Sequence, residues 1–196
     1  MATVRATRPA RHSSAESVPP PVTAGSPAFR KALAVLRISV GWLFLWPFFD
    51  KLFGLGYSTS SADAWIRGGS PTKGFLAGVN IGPLQGFFHS FAGAAWADWA
   101  FMLGLLFIGL ALVLGIGLRI VAVAGTVLVV GMWFASWPLA RVAGGQATQS
   151  TNPFFDDHLL FALTFIVFAL GNAGDTWGLG RRWASIPLVR GNPWLR

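Results

Sequence analysis

The sequence predicts an all-α integral membrane protein, a four-helix bundle with both termini cytoplasmic and a partly helical outer loop capping one end. Three observations carry that reading. Among 196 residues, 54% are hydrophobic and only 11% are charged, where a soluble domain carries about a quarter charged residues. Four apolar stretches stand apart from the charges, near the roughly 17–25 residues that a spanning helix needs. Ten Trp and 17 Phe accompany a single Tyr, as in a bundle with aromatic rims. High hydrophobicity with little charge is the reverse of disorder.

Residues 1–26, with "TRPARHSSAESVPPP", have no hydrophobic period and too little apolar surface to offset ordering, so they read as a disordered cytoplasmic tail. Their Arg/Ser bias is that of a transit peptide, but the proline run opposes an amphipathic helix, and no short apolar signal core follows. The membrane domain is expected over 27–184. Ser26-Pro27 is a cap residue followed by proline at the first helical position, opening a first span of about 30–55. Spans two and three, 97–118 and 119–140, are uncharged but for Asp98 and the arginine between them. The fourth, 157–175, is apolar from Leu159 until Asp175 stops it, and 185–196 is left as a cytoplasmic C-terminal tail. Ala100 with Gly104, and Ala111 with Gly115, have the four-residue spacing of helix-contact positions. In the outer loop, 56–95, "ADAWIRGG", "SPTKGFL" and "GPLQGFFHSF" each predict a short helical turn, since a structureless loop of that length is uncommon.

Lys and Arg set the orientation. Arg30, Lys31, Arg37, Arg119, Arg181, Arg182 and Arg190 fall on one side, against Lys51, Arg67, Lys73 and Arg141 on the other. Both termini are therefore expected in the cytoplasm of a multi-pass cell-membrane protein. The net charge of +8 does not indicate nucleic acid, because the charges flank apolar runs and form no basic stripe. The absence of Cys excludes dithiol redox chemistry, thiolate zinc, iron–sulfur clusters and covalent c-type haem. With only His12, His89 and His158 available, no intrinsic metal or haem is expected.

Two places concentrate ionisable residues where lipid is expected, which by default marks a functional site. Between Arg37 and Asp50, "ISVGWLFLWPFF" covers roughly 18 Å, less than a hydrocarbon core of roughly 30 Å. Arg37 and Asp50-Lys51 therefore cannot both rest in water, although Arg37 can snorkel. "NPFFDDHLL" places Asp156, Asp157 and His158 at the start of the short fourth span. First and last helices of an up-down bundle are neighbours, so Asp50-Lys51 is expected to face Asp157 and His158 beneath the cap, joined by Asp98. The structural alternative is that Asp98, Asp156 and Asp157 simply favour helix starts, and Asp156 is read that way. His89 among Phe87, Phe88 and Phe91 reads as a packed residue. Lys73 in "SPTKG" could help a helix start hold a small anion.

"LRISVGWLFLWPFFDKLFGLGYST", "WIRGGSPTKGFL", "GPLQGFFHSFAG", "GLALVLGIGLRI" and "NPFFDDHLL" together resemble the DoxX/DoxD family of four-span membrane proteins, over about residues 30–184. The likeness is greatest to the DoxD subunit of thiosulfate:quinone oxidoreductase. It implies oxidation of thiosulfate to tetrathionate, with electrons passed to membrane quinone as substrate or bound acceptor. Under it, Asp50, Asp157 and His158 would handle protons near a quinone pocket lined by Trp42, Trp46 and Phe49. Lys51, with Arg67 and Lys73, would draw a small dianion to the outer mouth. The family pattern also covers the stretches around Arg37 and Asn152, which join the binding set. Expected partners are the lipid bilayer, a second oxidoreductase subunit or soluble redox enzyme, and a homo-oligomer. The alternative is a non-enzymatic membrane anchor or assembly partner for a soluble redox enzyme. The broken-helix repeats of secondary transporters are not visible.

Overall fold

In the computed structural model, residues 23, 25–148 and 150–196 are described, and the expected N-terminal tail with His12 lies outside them apart from its last residues. Three helices are long and apolar enough to cross a membrane: Pro27–Phe53, Ala95–Leu114 and Leu118–Ser136. A fourth apolar helix, Asp157–Leu170, has 14 residues and is roughly 21 Å long, short of a hydrocarbon core.

The first helix starts as its sequence dictates: Ser26 Oγ accepts from the Phe29 N–H at 3.2 Å and Pro27 follows. It ends at Gly54, whose φ of 66° suits glycine. The first and second helices pack tightly because glycines remove side chains from the contact. A Cβ on Gly109 would lie 2.6 Å from Leu45 Cγ, and one on Gly41 would lie 2.9 Å from Leu112 Cβ. This is the close approach that small residues permit between apolar helices.

The second helix ends earlier than its apolar run. Gly115 and Gly117, at φ 71° and 60°, flank Ile116 and reverse the chain, so the third helix begins at Leu118. Gly115 is thus a turn glycine and not only a helix-contact residue, a distinction that apolar periodicity does not encode. Gly104 keeps the expected contact role, with Leu128 3.3 Å from where its Cβ would stand. The third helix is π-wound over Val121–Gly125, and Gly125 makes room for the Phe165 ring of the fourth helix.

One buried cluster joins all four apolar helices, with Phe44 and Phe48 from the first, Met102 and Leu112 from the second, Val129 from the third and Phe165 from the fourth. A smaller one joins the outer loop to the end of the third helix through Leu76, Val79, Phe88 and Ala135. The loop carries a 3-10 turn at Trp65–Arg67 and short helices at Lys73–Ala77 and Gln85–Ser90, where its three quoted motifs stand. A two-residue hairpin, Val142–Ala143 with Gln146–Ala147, occupies a stretch whose sequence gave no strand signal. Residues 185–196, expected as a tail, fold back onto the turn between the second and third helices. The Arg119 N–H donates to Arg196 O at 2.8 Å and Trp183 Nε1 to Leu195 O at 2.8 Å.

Candidate functional site

Asp50 and Lys51 look like one charged unit in the sequence, but consecutive helical residues point in different directions. The structure uses them for two purposes. Asp50 is 1% exposed and accepts from the Tyr57 N–H at 3.2 Å, the Ser58 N–H at 2.9 Å and the Ser58 hydroxyl at 2.7 Å. A carboxylate near a helix C-terminus opposes the macrodipole, and these three donors offset that cost while fastening the loop as it leaves the helix. Asp50 therefore clamps the loop to the end of the first helix.

Asp98 does the same from the other side. In the first turn of the second helix, 6% exposed, its Oδ1 accepts from Ser70 Oγ at 2.9 Å, the Thr72 N–H at 3.0 Å and Thr72 Oγ1 at 2.6 Å. The outer loop is thus fixed at 57–58 and again at 70–72 by two buried carboxylates. Helix-start chemistry alone does not foresee this, since the partners lie 26 and 28 residues away.

Beside the Asp98 clamp lies an apolar cavity of about 480 Å³, bounded by Lys51, the loop residues Thr72 and Phe88, Phe101 of the second helix, and Gly131 and Met132 of the third. That volume is within the roughly 300–1,000 Å³ of small-molecule sites. Lys51 supplies the lining's only charged group among the described residues, and it makes no ion pair there. The Thr72 hydroxyl is already committed to Asp98. The lining also includes exposed Phe75 and Val127, so the cavity is open to an apolar molecule arriving from the side. An ammonium facing an apolar space favours a ligand that brings an acceptor. Sequence reasoning found Lys51 but missed Thr72, Phe88, Phe101 and Gly131, because the walls come from three segments that only the fold brings together.

The other expected residues lie elsewhere. Trp42 is 52% exposed because it stands two positions from Phe44, about 200° around a helix from the core face. It contacts Trp46 at 6.2 Å between ring centroids, and Trp46 contacts Tyr57 at 5.0 Å. This aromatic run and Phe49, which packs on the main core, do not line the cavity. Arg37 does not snorkel. It is fully buried and donates to Leu112 O, to Val113 O at 2.9 Å and to Trp177 O at 3.0 Å. It thereby satisfies the carbonyls that end the second helix, where a cation is favoured, and ties them to the chain beyond the fourth.

Asp156, Asp157 and His158 sit beside a separate polar cavity of about 580 Å³, with Ser136, Thr148 and Asn152. The two cavities share no lining residue, and among the described residues no hydrogen bond or ion pair joins Asp50 or Lys51 to Asp157 or His158, so the pairing expected from the sequence is not formed. The reason is that Asp50 faces the loop and Lys51 the second and third helices. Asp156 caps the fourth helix, accepting from the Leu159 N–H at 3.2 Å, and holds His158 Nδ1 at 2.7 Å. The Asp157 side chain is 72% exposed and 3.4 Å from the same nitrogen. Asn152 Oδ1 accepts from the Phe154 and Phe155 N–H groups at 3.0 and 3.1 Å, closing a turn. The Lys73 N–H donates to Ser70 Oγ at the start of a five-residue helix. His89 Nε2 lies 2.7 Å from Val79 O, but the residue is exposed and not packed as expected, because its neighbour Phe88 is the one turned into the core.

Three membrane-length apolar helices sharing a core and carrying polar residues at their ends define a multi-pass helical membrane protein. The chain belongs to the DoxX family, whose model matches residues 32–137, more than half of its length. That match includes both loop clamps and every residue of the apolar cavity. No curated protein and no solved structure matches the chain.

Proposed function

We propose that this protein is a DoxD-like, four-span membrane subunit of a thiosulfate:quinone-type oxidoreductase, and that its apolar cavity takes the quinone. The observation that carries the reading is an apolar space of about 480 Å³ whose one charged lining group is the ammonium of Lys51. A quinone fits that chemistry: its ring and chain are apolar, and its carbonyl oxygens accept hydrogen bonds. Oxidising two thiosulfate ions to tetrathionate releases two electrons, and reducing a quinone to quinol takes up two electrons and two protons. Lys51 would orient one carbonyl and favour negative charge as it develops there. Asp50 and Asp98 would act at a distance by holding the loop wall in place. In this arrangement the fourth helix, extended through the turn at Ala173–Asp175, completes the span, and both termini lie on the arginine-rich, cytoplasmic side.

The test is thiosulfate-dependent loss of quinone absorbance with purified protein in lipid nanodiscs. Turnover that falls in Lys51→Met and persists in Asp157→Asn supports the reading; turnover indifferent to Lys51 overturns the assignment of the cavity. A second reading, a membrane anchor for a soluble redox enzyme, is favoured by one observation: Asp50, Asp98 and Arg37 all bind the chain itself. Co-purification of a soluble oxidoreductase with quinone chemistry confined to that partner would support it.

A further inference from the structure

A second apolar recess lies at the opposite end of the helices. A groove of about 330 Å³ runs between the second and third helices, lined by buried Ile108 and Val121, by exposed Phe107, Leu114 and Ala124, and by Trp183. From Leu114 to Phe107 it extends roughly 10 Å along the helix axis. It coincides with the π-wound segment Val121–Gly125, of which Val121 and Ala124 belong to the lining. Such segments are uncommon and are frequent at functional sites.

Its mouth is basic. Arg119 adjoins the lining residue Ile120, while Arg181 and Arg182 immediately precede Trp183, and all three arginines are exposed. Arg119 Nη1 donates to Pro193 O at 3.0 Å, which fixes the guanidinium at the turn between the two helices. The nearby acid, Asp175, is engaged by Arg196 at 2.7 Å. The groove therefore combines an apolar trough at the depth of the spanning helices with nearby arginines that pair with no acid among the described residues.

We infer that this groove holds one acyl chain of an anionic phospholipid, with the headgroup phosphate bound by Arg119 and by the Arg181-Arg182 pair. Guanidinium groups suit phosphate oxygens, and basic pockets at a membrane face select anionic headgroups. A zwitterionic lipid would bring its own ammonium into the arginine cluster, so charge as well as chain decides occupancy. The inference is independent of the quinone reading, since the groove shares no residue with the Lys51 cavity.

The experiment is native mass spectrometry of the purified full chain with equimolar phosphatidylglycerol and phosphatidylcholine of identical acyl chains. The expected result is one phosphatidylglycerol retained in preference to phosphatidylcholine. Arg181→Gln/Arg182→Gln, whose side chains make no hydrogen bond among the described residues, should lower that preference by roughly 30-fold, what two basic residues contribute at an anionic surface. Ala124→Phe, which fills an exposed groove position, should remove retention of both lipids. Equal retention of the two lipids by the natural protein, an unchanged preference in the double variant, or retention surviving Ala124→Phe each overturns the inference.

Discussion

Replacing Asp98 with Ala should release the outer loop while leaving the helices assembled. The substitution removes the acceptor of three hydrogen bonds, from Ser70 Oγ, the Thr72 N–H and Thr72 Oγ1. Thr72 is 6% exposed, so its two donors lose their partner where water does not replace it. Each buried group left unsatisfied costs about 1–3 kcal/mol, or about 2–6 kcal/mol for both. Even the lower figure raises the population of a detached loop roughly 30-fold. Trypsin reads this directly, because Arg67 and Lys73 are exposed on the segment that Asp98 holds. Cleavage after these residues should accelerate at least tenfold in Asp98→Ala, provided that cleavage is slow against reclosing. Asp98→Asn keeps an oxygen acceptor and should fall between. Cleavage of Asp98→Ala at the natural rate would refute the claim that this carboxylate holds the cavity wall.

Lys51→Met should weaken quinone affinity by roughly 10- to 150-fold, the equivalent of one charge-assisted hydrogen bond, with the thermal midpoint little changed; titration against a quinone analogue measures it. Arg37→Gln should lower the yield of folded protein more than any exposed substitution. It would uncap carbonyls from two segments, and Arg37→Lys should rescue only partly because an ammonium lacks the planar fork; size-exclusion profiles in detergent decide this. Gly174→Ala should cost about 1–3 kcal/mol by overpacking, because its Cβ would overlap the Gly115 carbonyl; thermal unfolding detects it. Asp157→Asn should leave both stability and turnover near natural levels, since that side chain is largely exposed and the cap is Asp156.

The helical membrane class was legible because lipid imposes long uncharged runs, and no other solvent does. The start of the first helix was equally plain, since Ser26-Pro27 act through local chemistry. The turn at Gly115 and Gly117 was hidden, because the same glycine serves helix contact or left-handed backbone and only φ tells them apart. Lys51 was visible as an ionisable residue near an apolar run, but the cavity around it was not. Its walls, Thr72, Phe88, Phe101 and Gly131, converge through tertiary packing that no local pattern records. Asp50 and Asp157 show the limit of reading charge from position. Both stand near membrane-helix ends, yet one is buried among loop donors and the other is open to solvent.

Gly131 offers the most direct test of whether the cavity is a quinone site. It lines the cavity, and a Cβ built on it meets no heavy atom within 4 Å, so Gly131→Phe can place a ring in the space without displacing backbone. The decisive measurement is equilibrium binding of a short-chain quinone to the protein in nanodiscs, natural chain against Gly131→Phe, corrected for partition into empty nanodiscs. Saturable binding to the natural protein that is lost in Gly131→Phe is the expected result. Equal binding by both, or no binding above the lipid background, would contradict the assignment of this cavity to quinone.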